Sequence, residues 1–275
     1  MYQKISLNDF TIRQAPFADR FNITREVRFS GIEFQIDEAR DYAKEHGGLD
    51  SVLGLLRRNN LRFDQSMMLR DCFSPAHKND REAFLRHAEG FFQDTKFLGG
   101  KVVLTCATFG PAEMNEAPEM FGELCDLADS FGINLALEFI GWAETIKDIR
   151  TARSIVEKAD RKNGGILYDT LHHYFGGSSF RDLEELPTEH IFAVHIVDVN
   201  DMDIHPMEIS RHHRVFPGKG VIPIPEILDI LHAKGYQGSL ALEIFNDKYL
   251  TRPPLEVARE GFEVMKGILS RAGFD

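Results

Sequence analysis

Short runs of β-branched and apolar residues alternate along the chain with longer segments in which apolar residues recur every three or four positions. The short runs are typical of strands, and the longer segments are typical of amphipathic helices. Eight runs are predicted to be strands: Lys4–Phe10, Gly31–Ile36, Arg62–Leu69, Lys101–Thr108, Asn134–Ile140, Gly165–Tyr168, Ile191–Val199 and Ser239–Phe245. The clearest predicted helices are Asp80–Phe97, Glu113–Phe131, Thr145–Lys162, Pro225–Lys234 and Leu255–Arg271.

This alternation continues almost to the end of the chain, as a closed (β/α)8 barrel requires. An open doubly wound sheet alternates in a similar way, but it usually carries a glycine-rich dinucleotide turn after its first strand, and Asn8–Ala15 has none. No internal repeat or Pro/Ser-rich linker divides the chain. The pattern predicts an α/β protein with one TIM barrel domain over residues 1–275, whose longest loop, Asn200–Gly220, lies at the barrel mouth.

Composition narrows the range of partners. The formal net charge is −11 and there is no basic run, so nucleic acid is not an expected partner. Three cysteines without CxxC spacing argue against a disulfide framework or a thiolate zinc site. No segment resembles a cleaved leader or reaches the roughly 20 apolar residues that span a membrane. We expect a soluble cytoplasmic protein with a small-molecule partner and leave homo-oligomer formation open.

Each of the last four predicted strands ends in a side chain that can bind a metal ion. Residues two apart in a strand share a face. In the fifth strand the leucines therefore face the helices, while Ala136 and Glu138 face the barrel axis. The same alternation turns three more groups inward: Asp169, His195 and Glu243.

Three carboxylates at one barrel mouth repel one another, and a cation resolves that conflict. A mainly oxygen donor set with one imidazole suits one divalent ion, whether Mn²⁺, Zn²⁺, Co²⁺ or Mg²⁺. Taken alone, any one of these side chains is more simply explained as a loop charge paired with Arg or Lys. Their shared orientation on four strands favours a metal-binding site instead. Two glutamates would also serve a glycosidase, which leaves the added Asp and His without a role.

Several motifs follow in order between about Gly132 and Lys266: ALEFIG at 136–141, YDTLH at 168–172 with GGS at 176–178, HIVD at 195–198, RVFPGKG at 214–220 and LEIF at 242–245. Together they resemble the xylose-isomerase-like barrel superfamily, and within it the inosose isomerase (2-keto-myo-inositol isomerase) type. The resemblance implies one metal ion with these ligands: Glu138, Asp169, His195 and Glu243. It also implies that His172 lies beside the metal and touches the substrate and that Arg214 reaches the substrate from the loop.

Further residues are candidates for substrate contacts, and most of them also have a simpler structural explanation. Asn8 and Glu33, on the first two strands, can point into the pocket. Trp142 and Phe245 can form an apolar wall against a sugar ring, although core packing explains them nearly as well. Glu144 can support a ligand or simply open the following helix, and Lys219 can orient a hydroxyl or a phosphate or simply be a solvated loop charge.

Isomerising an α-hydroxy ketone requires removal of a proton beside a carbonyl, and a metal that chelates the carbonyl and its neighbouring hydroxyl stabilises the resulting enediolate. We expect a metal-dependent isomerase or epimerase of a small keto-sugar or keto-inositol, with Glu138 and Glu243 as the acid–base pair and His172 as a further catalytic group. A dehydratase of a keto-cyclitol or 3-dehydroshikimate uses the same chemistry and stays open.

Two other classes fit less well. An abasic-site endonuclease needs three zinc ions and additional histidines on earlier strands, and the strand ends around Ile36, Leu69 and Thr108 supply none. Asp203-Ile204-His205 resembles part of such a second site, but the acidic charge disfavours DNA. A non-catalytic sugar-binding protein would not need the complete set of metal-binding groups together with His172.

Overall fold

The structure, a computed structural model, describes residues 5–74 and 80–274, so Lys4 at the start of the first predicted strand lies outside it. Eight parallel strands close into a barrel in the order β1-β10-β7-β6-β5-β4-β3-β2. The barrel strands are β1 (Ile5–Asn8), β2 (Gly31–Gln35), β3 (Arg62–Leu69), β4 (Val102–Cys106), β5 (Asn134–Glu138), β6 (Gly164–Asp169), β7 (Ile191–Ile196) and β10 (Leu240–Leu242). The (β/α)8 prediction is confirmed, and each of the eight predicted strands overlaps a barrel strand. The seventh prediction, Ile191–Val199, is too long, because the barrel strand ends at Ile196 and Asp198–Val199 pairs outside the barrel.

Helices follow the strands and cover the outside of the barrel. They are α1 (Phe17–Val27), α2 (Ile36–Glu45), α3 (Leu49–Asn59), α4 (Arg81–Phe97), α5 (Ala117–Asp129), α6 (Ile149–Ala159), α7 (Thr170–Gly176), α8 (Phe180–Glu185), α9 (Pro206–His212), α10 (Ile224–Ala233), α11 (Asp247–Leu250) and α12 (Pro254–Arg271). Short 3-10 turns span Asp9–Ile12 and Thr188–His190. Among the described residues, no helix is both long enough and apolar enough to cross a membrane.

The helix predicted over Thr145–Lys162 begins later, at Ile149. Asp148 caps it, because its carboxylate accepts the Thr151 N–H while the Thr151 hydroxyl reaches back to the Asp148 backbone. Glu144 therefore lies in the preceding loop, and its suggested role at the positive end of this helix is wrong.

The side chains of the strands separate into two apolar regions. Inside the barrel, a small cluster contains Met67, Leu104, Ala136, Leu167 and Ala193. The strand residues of opposite parity, such as Leu135 and Leu137, join the large core between the strands and the helices. The inward and outward faces predicted for β5, β6 and β7 are therefore correct. The last inward-facing residue of each of these strands lies at the same mouth of the barrel.

A two-stranded antiparallel ribbon lies beside the mouth, between β7 and α10. It pairs β8 (Asp198–Val199) with β9 (Arg214–Val215), so that Val199 is opposite Arg214. The long loop predicted at the mouth is therefore partly ordered by this ribbon and by α9. Its effect is to carry Arg214 back over the ends of the barrel strands.

Candidate metal centre

The four groups predicted as metal ligands converge at the mouth of the barrel. Ligand atoms of Asp169, His195 and Glu243 lie within 4.8 Å of one another, and so do those of Glu138, Asp169 and His172. Asp169 belongs to both of these three-residue sets, so the two sets form one continuous cluster. Its members are buried, with no side chain more than a few per cent exposed.

Strand register explains why these residues meet. Asp169 on β6 is directly paired with His195 on β7, and His195 is paired with Ala241 on β10, two residues before Glu243. Neighbouring parallel strands keep paired residues on the same face, so their side chains point into the same space. Alternation within each strand thus sets the direction of these polar side chains, and strand pairing brings them together in one cluster.

Glu138 and Glu243 have the same side chain but opposite proton affinities. Burial, with the nearby charges of Glu243 and Asp169, raises the pKa of Glu138 to about 8. Burial also acts on Glu243, but His195 and Arg214 outweigh it and hold the pKa of Glu243 below its usual range. The same pocket therefore contains one carboxyl group that favours its proton and one that favours the ionised form.

The donor set fits a divalent cation. Asp169 Oδ2 and His195 Nδ1 are buried atoms without a hydrogen-bond partner among the described residues, and both belong to the cluster. Leaving such atoms unpaired is costly, whereas coordination would satisfy both. Three carboxylates and one imidazole match the hard and intermediate donors that Mn²⁺, Mg²⁺, Co²⁺ and Zn²⁺ accept.

His172 is oriented to act as a hydrogen-bond donor. Its Nδ1 accepts the backbone N–H of Gly141 at 3.1 Å, so in the neutral ring the proton is on Nε2, which lies 3.7 Å from Glu138 Oε1. Burial lowers the pKa of His172 well below its usual value, which favours this neutral form. An Nε2–H group has no lone pair for a metal, so His172 suits a contact with substrate better than a fifth ligand position.

Arg214, predicted to reach the substrate, is buried against the cluster. Its Nη1 lies 2.5 Å from Glu243 Oε2 and 3.7 Å from Asp169 Oδ2. Ser210 accepts two further hydrogen bonds from the guanidinium, and the Phe245 ring centroid lies 4.2 Å from its central carbon. These contacts fix the guanidinium beside two of the candidate ligands.

The remaining predicted substrate contacts divide into two groups. Asn8 belongs to the cluster, since its amide donates to Glu243 Oε1 at 2.9 Å. Trp142 lies beside it, with ring centroids 4.9 Å from His172. Glu144 and Lys219 have exposed side chains, so neither belongs to the buried cluster.

Two buried polar residues extend the cluster into the barrel. Glu33 on β2 places Oε2 3.0 Å from His195 Nε2, and the Gln65 amide nitrogen on β3 lies 3.2 Å from the same atom. The sequence suggested Glu33 only weakly and missed Gln65. The register between β2 and β3 shifts at Ile32/Glu33, and polar residues stand at both Gln65 and Ser66, so alternation alone did not show which one faces inward.

Two other histidines lie away from this centre. His173 is buried, and its ring contacts Tyr168 and Phe180, so it belongs to the packing around α7. His205, the residue that suggested a second zinc site, is exposed and accepts the Met207 N–H as the cap of α9.

Comparison with known proteins places this geometry in context. Residues 21–268 match the model of a family described as "Xylose isomerase-like TIM barrel". A 3-dehydroshikimate dehydratase of Pseudomonas aeruginosa is 31% identical over 180 residues, which are 64% of this chain and 28% of that protein. An inosose isomerase of Halalkalibacterium halodurans is 36% identical over 128 residues, which are 46% of this chain and 45% of that protein. These matches thus span less than half of either relative.

A solved structure shares the whole fold. The crystal structure of the protein named IOLI, with a bound zinc atom, superposes with a TM-score of 0.89 at 22% identity and covers 98% of each chain. At that identity the similarity shows the fold.

Proposed function

The chain belongs to the xylose isomerase-like TIM barrel family, and on that premise we propose that it is a divalent-metal-dependent isomerase of a keto-inositol or a related small keto-sugar. One observation carries the proposal: Glu138 and Glu243 converge on one buried pocket with Asp169 and His195 and differ in proton affinity. An isomerase that moves a proton between neighbouring carbons needs such a pair. The inosose isomerases among the relatives supply the substrate class.

The proposed metal site is formed by Glu138, Asp169, His195 and Glu243. A divalent ion bound there supplies positive charge that lowers the cost of negative charge on the substrate oxygens. Mn²⁺, Zn²⁺, Co²⁺ and Mg²⁺ all suit this donor set, so the metal is assigned only as one of these four divalent ions.

The chain's own groups carry the proton transfer. Glu138 extends from β5 and Glu243 follows β10, so their carboxyl groups approach the pocket from different strands. One removes the proton beside the substrate carbonyl, and the other returns a proton at the neighbouring carbon. His172 donates its Nε2–H to a substrate oxygen, and Arg214 keeps Glu243 oriented through the contact of 2.5 Å.

Two aromatic rings beside the cluster are proposed to pack against the apolar C–H faces of a polyol. Trp142 lies next to His172 on one side, and Phe245 lies under Arg214 on another. Such rings pack well against the C–H face of a sugar or cyclitol. The buried carboxylates make a neutral substrate a better match than an anionic one.

The test is proton exchange followed by NMR in D2O. Metal-loaded protein is incubated with inosose, and deuterium incorporation beside the carbonyl together with an isomeric product is the expected result. Glu243→Gln is expected to lose about 10²- to 10⁴-fold in rate, because it removes a proton-transfer group. Glu263→Gln, the same change on the exposed side of α12, is the control and is expected to keep the wild-type rate.

A Glu243→Gln variant that binds metal normally and turns over inosose at the wild-type rate would contradict the assignment. Elemental analysis of both proteins establishes the metal content needed for that comparison. Reconstituted wild-type protein that stays folded and catalyses no exchange with inosose or a ketohexose would contradict the isomerase proposal itself.

A dehydratase is the second candidate, and the relative that is 31% identical over 180 residues favours it. Both reactions begin with removal of a proton beside a carbonyl and differ in whether a β-hydroxyl group then leaves. The same NMR experiment with 3-dehydroshikimate separates them, because elimination gives an unsaturated product and water rather than an isomer.

A further inference from the structure

The floor of the pocket contains a buried carboxylate, Glu33, which takes no part in the proposed proton transfer. Its side chain is completely buried on β2, and Oε2 lies 3.0 Å from His195 Nε2. The Asn8 amide donates to this carboxylate at 3.4 Å and to Glu243 at 2.9 Å, so it connects Glu33 with one of the proposed metal ligands. The Gln65 amide, also fully buried, adjoins the same His195 nitrogen.

The two nitrogens of His195 face different surroundings. Nε2 points down to Glu33 and Gln65, whereas Nδ1 lies 3.3 Å from Glu243 Oε2 and has no hydrogen-bond partner among the described residues. A neutral imidazole has one N–H and one lone pair. When Nε2–H donates to Glu33, the lone pair is on Nδ1 and points to the carboxylates at the mouth.

We propose that Glu33 is a positioning residue that keeps the proton of His195 on Nε2 and thereby makes Nδ1 the metal-binding atom. Gln65 supports the arrangement, because its amide can turn the oxygen toward the same N–H. The inference rests on the proposed function, since it takes the metal ion from there. It assigns to Glu33 the part that carboxylates commonly play behind metal-bound histidines, orienting the ring and fixing its tautomer.

A purely structural role for Glu33 makes a different prediction. If Glu33 served only to balance the charge inside the barrel, its loss would lower the stability of the fold but leave the tautomer of His195 and the zinc affinity unchanged. The burial of Glu33 beneath a ligand residue, rather than beside the helices, is what favours the positioning role.

The experiment measures zinc binding and the ring nitrogens of His195 in the full chain. Zinc alone is titrated by calorimetry, and ¹⁵N-histidine-labelled protein is examined by two-bond ¹H–¹⁵N correlation, with the His195 signals assigned by their loss in His195→Asn. The wild type is expected to show a metal-bound Nδ1 and a protonated Nε2. Glu33→Leu is expected to weaken zinc affinity by about 10- to 100-fold and to lose the single tautomer.

Two variants keep the test independent of stability. Glu33→Gln retains an oxygen acceptor, so it is expected to restore most of the zinc affinity and the wild-type nitrogen pattern. Ser66→Ala removes a buried polar group that faces Thr95 on the helix side of β3, so it is the matched control and is expected to bind zinc as the wild type does. Circular dichroism establishes that each variant is folded. If Glu33→Leu does not fold, Gln65→Leu carries the test, because it removes the second group beside Nε2 and is expected to weaken zinc affinity and to lose part of the single tautomer.

The outcomes separate this inference from the proposed function. Wild-type zinc affinity and an unchanged nitrogen pattern in Glu33→Leu, or in Gln65→Leu if Glu33→Leu does not fold, would overturn the positioning role while leaving the metal site intact. Coordination through Nε2 in the wild type would also overturn it. A folded wild-type protein that binds no zinc, Mn²⁺ or Co²⁺ would instead overturn the proposed function and, with it, this inference.

Discussion

Adjacent histidines show how strongly position decides the role of a residue. His172 and His173 follow β6 in α7, where consecutive side chains point about 100° apart. His172 faces Glu138 and the pocket, whereas His173 packs between Tyr168 and Phe180. The same residue type is thus a candidate substrate contact at one position and part of the core at the next.

The buried His173 makes stability depend on pH. Burial lowers its pKa from 6.5 to about 4. Between those values the unfolded chain binds the proton and the folded chain does not, so the free energy of unfolding rises as pH rises toward 6.5 and falls as pH falls toward 4. Between pH 5 and pH 7.5 the wild type is expected to gain about 2 kcal/mol more than His173→Phe, which keeps an aromatic ring and removes the proton-binding site.

Urea unfolding of both proteins at the two pH values measures this difference. Other titrating groups act equally on both proteins, so only the difference between them reports on His173. Parallel pH dependence in the wild type and His173→Phe would show that the ring is protonated as readily in the folded chain as in the unfolded one.

At the level of elements, the β8–β9 ribbon and the loop after it depend on one carboxylate. Asp198 is fully buried and accepts four backbone N–H groups, from Val199, Gly218, Gly220 and Ile222, at 2.8–2.9 Å. A side chain at Gly220 would overlap the Val199 carbonyl, which explains the glycine there. The Asp198 carboxylate thus fixes the loop that follows Arg214.

Asp198→Asn replaces one accepting oxygen with a donating NH2 group that faces backbone N–H donors. The substitution is expected to lower the free energy of unfolding by about 2–3 kcal/mol. Depending on which oxygen is replaced, the amides of Gly218 and Gly220 or those of Val199 and Ile222 are expected to exchange with solvent faster. Hydrogen exchange followed by mass spectrometry measures this locally. Asp203→Asn, on the exposed part of the same loop, is the control, and equal protection of residues 214–222 in both variants would argue against the anchoring role.

At the scale of the whole molecule, the barrel concentrates negative charge at its mouth. Asp169, Glu138 and Glu243 approach from three strands, and burial, the largest influence, raises the pKa of Asp169 despite Arg214 nearby. Holding these groups together costs free energy that the rest of the fold must offset. A cation bound only by the folded barrel returns part of that free energy.

Metal ions are therefore expected to stabilise the whole fold. A metal concentration 100 times the dissociation constant adds about 2.7 kcal/mol to the free energy of unfolding, and removal by a chelator reverses the gain. Thermal unfolding with and without Mn²⁺ or Zn²⁺ measures the change. Asp169→Asn is expected to abolish it, and Asp126→Asn, a surface carboxylate paired with Arg161, is expected to retain it. A stabilisation that survives in Asp169→Asn would place the metal elsewhere.

The barrel and the convergence of Glu138, Asp169, His195 and Glu243 could be predicted from the sequence. Strand and helix periods differ, so their order could be read along the chain, and alternation within β5 and β7 placed Glu138 and His195 inward before any contact was known. These are local properties: each depends on a few neighbouring residues and on the short distance over which a strand repeats.

The polar residues behind those four side chains could be located only from three-dimensional contacts. Glu33 and Gln65 lie 162 and 130 residues from His195 in the chain, and the register shift between β2 and β3 hides which polar residues face inward. The exposed positions of Glu144 and Lys219 were equally hidden, because a loop has no repeating period from which a side chain's direction follows. Contacts of this kind arise from closure of the barrel, which brings distant strands together and leaves no local trace in the sequence.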